Sequence, residues 1–286
     1  MQNIARTNLK KQLTTPEIMV CASVYDPLSA RMAQEIGFKL GILGGSVASL
    51  IALGAPDINL LTLTELAAHA KRVCQASDLP VIVDGDNGYG NALNVMRTIE
   101  ELEYAGASLV TIEDTILPCR YKEPALSQIS LEEAKLKLEA AVSARKDINL
   151  SIFARTHALN EGDNTDMLER IKAYSKTGID GICIFGVTDN NTLRQISDVT
   201  HLPIMLISYG NPDLGEAEEL IKLGVRIRLS GHKSYEESVK ASYLSLLKLH
   251  QGDNYKDEEV DAKALIKRLS DSEQKTKLTQ QYIYPN

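Results

Sequence analysis

Leu79-Pro80-Val81-Ile82-Val83-Asp84-Gly85-Asp86-Asn87-Gly88-Tyr89-Gly90 is a short apolar run that ends in two carboxylates and a cluster of glycines. An apolar run of this length, opened by a proline, reads as a strand buried on both faces. Behind it, residues 92–104 carry the 3.6-residue spacing of an amphipathic helix. Gly106 then stands where a left-handed helix stop is wanted, and residues 108–112 form the next apolar run. Strand, acidic turn, helix and glycine stop make one β–α unit.

The unit recurs. Strands are predicted over 18–23, 40–44, 80–83, 108–112, 150–154, 181–185, 203–207 and 225–229, with helices between them such as 92–104, 131–145, 166–177 and 216–223. Gly37, Gly106, Gly178 and Gly224 precede strands as helix stops, Pro80 and Pro203 open strands, and Ser130 with Glu133 has capping-box spacing. Eight such units predict an α/β fold, a (β/α)8 TIM barrel in one domain over 1–286, led in by an N-terminal helix. The alternative is an open doubly wound sheet, but no G-x-G-x-x-G turn follows the first strand. Residues 253–286 read as a C-terminal extension. Its charged part, 253–275, has little apolar periodicity and predicts one or two exposed helices, with a poorly ordered tail after it.

Composition narrows the function. The chain has 286 residues, 44% of them hydrophobic, and a net charge of −7 with both signs interspersed. No basic run suggests nucleic acid, and no apolar stretch approaches the ~18 residues of a membrane span. Residues 1–15 are charged and lack the apolar core of a secretory signal. Cys21, Cys74, Cys119 and Cys183 stand far apart, without zinc or disulfide spacing. A reduced, cytoplasmic protein is expected.

Barrel chemistry sits at the C-terminal ends of strands, so the residues that end each run are the informative ones. Gly44-Gly45-Ser46 ends the second, and its backbone N–H groups could hold a carboxylate. Asp84 and Asp86 end the third. Strand alternation puts them on the same face, and oxygen ligands of this kind suit a hard divalent ion. Glu113-Asp114 ends the fourth, Arg155-Thr156-His157 the fifth, Ser208-Tyr209-Gly210-Asn211-Pro212 the seventh and Ser230-Gly231-His232 the eighth. Plainer readings exist. The acid pair could be a helix N-terminus, Arg155 could ion-pair with Glu113, Tyr209 and His157 could be packing residues, and Cys119 has no base beside it.

Taken together, Gly44-Gly45-Ser46, Gly54-Ala55-Pro56-Asp57, Asp84-Gly85-Asp86-x-Gly88-Tyr89-Gly90, Ile112-Glu113-Asp114 and Ala154-Arg155-Thr156 resemble the isocitrate lyase/phosphoenolpyruvate mutase superfamily. The resemblance runs from about residue 22 to 249. Residues 22–31, 41–50, 88–98 and 209–212 look like its oxaloacetate-decarboxylating branch. The family implies a (β/α)8 barrel, Mg2+ (Mn2+ is possible), and an α-keto dicarboxylate substrate. It also implies a homodimer or homotetramer that exchanges C-terminal helices. By resemblance, Asp84 would hold the metal and Ser46, Arg155 and His232 the substrate.

Two departures accompany the resemblance. The carbon–carbon lyases of the family carry a K-[KR]-C-G-H loop, and Tyr121 falls here where that cysteine would stand, with Cys119 two positions away. Asn87 and His157 stand where His and Asn are expected, beside the proposed metal. The implied reaction is decarboxylation of oxaloacetate to pyruvate and CO2 through a metal-stabilised enolate. Asp57, Asp86 and Glu113 would contact the metal's waters, and Tyr209 would protonate or orient the enolate. The alternatives are a 2-methylisocitrate-type or phosphonopyruvate-type enzyme of the same superfamily, an isomerase or aldolase on a phosphate-binding barrel, and a non-catalytic dicarboxylate binder.

Overall fold

In the computed structural model, residues 2–158, 163–208, 214–256 and 259–285 are described. Nine strands pair in parallel in the order β1-β9-β8-β7-β6-β5-β4-β3-β2. They are β1 (Met19–Val20), β2 (Ala22–Ser23), β3 (Gly41–Leu43), β4 (Val81–Asp84), β5 (Leu109–Glu113), β6 (Ser151–His157), β7 (Gly181–Phe185), β8 (Ile204–Ile207) and β9 (Val225–Leu229).

The strand predicted over 18–23 is therefore two pieces. It changes partner at Cys21, whose N–H donates to Arg228 O (3.0 Å), while the next amide, Ala22, donates to Leu40 O (3.0 Å). Because β1 pairs with β9 and β2 with β3, those two halves close the barrel.

Strand alternation sorts the core into two layers. Val81 and Val83 join the aliphatic layer between strands and helices. Ile82 points inward with Leu40, Leu109, Phe153, Cys183, Met205 and Ile227. The helix α1 (Gln2–Leu13) joins the inner layer through Leu9 and Leu13. Each such fully buried aliphatic side chain contributes about 1.5–3 kcal/mol. The same period continues past the apolar layer. After inward-facing Ile82, Leu109 and Phe153, that face continues to Asp84, to Thr111 and Glu113, and to Arg155.

The surrounding helices start where side chains cap them. Asp26 caps α2 (Pro27–Ile36), Thr62 caps α4 (Leu63–Cys74) and Asn91 caps α5 (Ala92–Ala105). Ser130 Oγ accepts from Glu133 N (3.1 Å) at the start of α6 (Leu131–Ala144). The predicted glycine stops have φ of 100° (Gly37), 107° (Gly106), 89° (Gly178) and 88° (Gly224). Helices α7 (Thr165–Tyr174), α8 (Asn190–Val199) and α9 (Ala217–Lys222) complete the ring.

Beyond the barrel lie α10 (Lys233–Gln251), α11 (Ala262–Leu269) and α12 (Ser272–Tyr282). The helices expected in this extension are present, although α11 buries Ala262 and Leu265 instead of being wholly exposed. One further expectation is corrected. The segment read as a poorly ordered tail is α12, and Ile283 O after it accepts from Lys122 N (2.8 Å), tying the chain end to the β5–α6 loop. Among the described residues no helix is long and apolar enough to cross a membrane.

Candidate active site

A cavity of about 490 Å3 opens at the C-terminal ends of the strands. Ile42, Cys183, Met205, Ile207 and Leu229 supply its apolar lining, while Gly44, Gly45, Ser46, Asp57, Asp84, Thr111, Arg155 and His232 bring polar groups to it. On one side stands the start of α3 (Gly45–Leu53), whose N-cap Gly44 offers no side-chain acceptor. Its leading N–H groups thus have no intrahelical partner and suit an anion.

On another side the acids converge. A β-carbon at Gly45 would lie 3.2 Å from Asp86 Oδ1 and 3.6 Å from both Asp57 Oδ2 and Asp84 Oδ2. Strand alternation is not what brings Asp86 there. β4 ends at Asp84, and Asp86 sits in a turn with φ of 46°. Asn59 Nδ2 donates to its Oδ2 (3.2 Å). Arg155 bridges the neighbouring pair, with Nη1 2.7 Å from Asp84 Oδ2 and Nε 3.3 Å from Glu113 Oε2. Thr111 Oγ1 donates to the other Asp84 oxygen (2.9 Å).

One guanidinium among four acids leaves an excess of negative charge. Burial, then Asp84, pushes Asp57 up to about 6, against the pull of Arg155. Burial pushes Glu113 up to about 7 although Arg155 opposes it. Asp86 is raised by burial and by Asp84, Asp57 and Glu113. Among the described residues, no three His, Cys, Asp or Glu side chains form a ready metal cage. The converging oxygens instead fit a hard divalent ion that takes one or two carboxylates and keeps water.

These shifts have a stability consequence. All three acids hold protons in the folded state at pH values where the unfolded chain has lost them. Folding stability should therefore fall as pH rises from ~4 to ~7 and stay lowered above that. The metal-free protein is expected to melt a few degrees lower at about pH 8 than at about pH 5.5, with Mg2+ recovering more at the higher pH. Scanning calorimetry checks this. Glu113→Gln should flatten the pH dependence, and an unchanged slope in that variant would count against it.

His232 follows β9 and precedes α10. Its Nδ1 lies 2.6 Å from Ser23 Oγ. A β-carbon at Gly44 would come within 2.8 Å of its Nε2 and Cε1, so only glycine lets α3 approach the imidazole this closely. Burial lowers its pKa, with Asp84 pulling the other way, so the site favours the neutral ring. Burial likewise pushes the Cys183 thiol up to about 12, so it is no nucleophile at neutral pH.

Other candidates lie elsewhere. Asp114 faces away from the cavity, accepting from Tyr174 OH (2.7 Å) and Thr156 Oγ1 (2.9 Å) and pairing with Arg170 (3.4 Å). Asn87 and His157, expected beside the metal, turn to the β5–α6 loop instead. Asn87 Nδ2 donates to Leu117 O (2.7 Å), and His157 Nε2 lies 3.1 Å from Leu126 O. Tyr209 lies outside the described residues. Sequence reasoning missed Ser23, Asn59 and Thr111. Thr111, two residues before Glu113 on one strand, was findable from alternation; Ser23 and Asn59 carry no local signal.

The chain matches the phosphoenolpyruvate phosphomutase family over residues 9–246. It is 49% identical over 241 residues to an oxaloacetate decarboxylase of Pseudomonas fluorescens (strain SBW25), covering 84% of this chain and 83% of that protein. To an oxaloacetate decarboxylase of Pseudomonas putida it is 45% identical over 262 residues, covering 92% and 90%. A crystal structure of 2,3-dimethylmalate lyase, itself a PEP mutase/isocitrate lyase superfamily member, superposes with a TM-score of 0.78 at 27% identity, covering 97% of this chain and 98% of that one. With a closed parallel barrel, an acid-lined mouth and matches of this extent, the chain belongs to the phosphoenolpyruvate phosphomutase family.

Proposed function

We propose that this protein catalyses the divalent-metal-dependent decarboxylation of oxaloacetate, or a close α-keto dicarboxylate, to pyruvate and CO2. One observation carries the reading: an uncapped helix start faces a cluster of acids bridged by Arg155 within one cavity. The first suits a substrate carboxylate, the second a cation. The identities of 49% and 45% to oxaloacetate decarboxylases support the substrate.

Asp84 would hold the ion, Mg2+ or alternatively Mn2+, with Asp57, Asp86 and Glu113 receiving hydrogen bonds from its waters. When bound, the ion supplies Lewis acidity toward the keto acid end of the substrate. The chain supplies the rest. The first amides of α3 and Ser46 bind the C1 carboxylate. Arg155 directs charge-assisted donors at the keto oxygen, where negative charge grows as the C3–C4 bond breaks. His232, favoured in its neutral form, borders the departing carboxylate without pinning it in an ion pair. Tyr209 would protonate or orient the product fragment. Tyr121, which is exposed, stands where the lyases carry their loop thiol, and burial keeps Cys183 from forming a thiolate nucleophile, which disfavours the carbon–carbon lyase alternative. The same reading includes a homodimer or homotetramer that exchanges C-terminal helices.

The test is steady-state turnover of oxaloacetate beside 2-methylisocitrate and phosphonopyruvate, each with Mg2+ and with excess chelator. Protein-free blanks correct for decarboxylation by free metal. Oxaloacetate should be turned over at least about a hundredfold better than the others, and chelator should abolish the rate. Full activity in chelator would sink the metal-dependent scheme, and preference for another acid would sink the substrate.

A further inference from the structure

The cavity has a third wall, which bears two lysines. Lys233 and Lys263 line it beside Glu236, on the side of β9 and α10. Two strands, β8 and β7, lie between β9 and β6, which carries Arg155. The two lysines differ in their commitments. Lys233 Nζ lies 2.7 Å from Glu237 and 3.9 Å from Glu236, so its charge is already answered. Lys263, in the first turn of α11, makes no ion pair among the described residues, and its side chain is exposed. Arg155 is held by Asp84 and Glu113. Among the described residues, Lys263 is thus the cationic side chain lining this acid-rich cavity that has charge to spare. It comes from beyond residue 246, where the family match ends.

Resting on the reading above, we infer that Lys263 binds the distal carboxylate of the substrate and makes the site selective for dicarboxylates over α-keto monocarboxylates. An acidic mouth repels a dianion, and a mobile ammonium at its rim lowers that barrier and raises the local substrate concentration. The chemistry also favours this weak, exposed form of contact. A rigid buried ion pair on the carboxylate that leaves as CO2 would stabilise the ground state and slow bond breaking. A solvated lysine captures the group and lets it go. Its effect therefore belongs in KM and in the salt dependence of kcat/KM, with kcat little changed.

Two measurements on Lys263→Gln and Lys263→Arg test this. Calorimetric titration with L-malate and with pyruvate needs no turnover. Lys263→Gln should weaken L-malate about tenfold and leave pyruvate within about twofold, and Lys263→Arg should recover most of the loss. In kinetics with oxaloacetate, Lys263→Gln should raise KM about tenfold, keep kcat within about twofold and flatten the fall of kcat/KM with added salt. Unchanged L-malate affinity, or equal weakening of L-malate and pyruvate, overturns the inference. A wild-type protein that binds L-malate through Lys263 but does not turn over oxaloacetate overturns the proposed reaction and leaves the subsite standing.

Discussion

Asp84→Asn is expected to lower metal-dependent oxaloacetate turnover by about a thousandfold or more, with the fold retained. The substitution keeps the shape and one carbonyl oxygen of a residue that Thr111 and Arg155 both contact, at 2.9 Å and 2.7 Å. What it removes is the charge at the centre of the convergent acids. A cation would then have to rely on Asp57, Asp86 and Glu113, all three of which burial drives toward the protonated form. Mg2+ titration of the variant should show at least about a tenfold weaker affinity, with an unaltered far-ultraviolet circular dichroism spectrum. Asp84→Ala should lose at least as much activity. If Asp84→Asn keeps a tenth of wild-type turnover, Asp84 is not the metal-holding residue.

Arg155→Met should cost about a hundred- to a thousandfold in kcat/KM. The residue answers two acids at once, through Nη1 to Asp84 and Nε to Glu113. It also lines the cavity where the keto oxygen is proposed to bind. Losing it removes a donor to the reacting group and the one opposing charge that keeps Glu113 from rising further above about 7. The variant should therefore need a higher pH for metal binding. Arg155→Lys should restore little, because a single ammonium cannot present two planar N–H donors to two separate carboxylates. Rates measured across pH for both variants decide the matter. Near-complete rescue by lysine would reduce Arg155 to a point charge.

The match between chain pattern and architecture is uneven for identifiable reasons. Six of the eight predicted strands coincide with observed ones to within one residue, as boundary assignments allow, and β6 runs three residues past its predicted end. Their apolar runs are buried on both faces, a condition that leaves a strong mark in sequence. The first differs because it changes neighbours at Cys21, a consequence of barrel closure that no local pattern encodes. Helices were legible within 253–275, whereas the tail after them was misread because α12 buries no side chain and so shows no apolar stripe.

Gly44-Gly45-Ser46, Asp84, Glu113, Arg155 and His232 were legible at strand ends because a parallel barrel directs one end of every strand to the same rim. The chemistry proposed for them follows from residue type: acids for a hard cation, a guanidinium for developing negative charge. Tertiary structure alone decided which of them meet. It turned Asp114 into a buried network with Tyr174 and Arg170, sent Asn87 and His157 to the β5–α6 loop, and brought Asp57 in from a distant loop to join Asp84 and Asp86. It also carried Lys263 from the C-terminal extension to the cavity. Local spacing specifies the face from which a side chain leaves its own strand or helix. Which charges then share a low-dielectric space depends on packing between segments up to hundreds of residues apart, and that packing sets the pKa values.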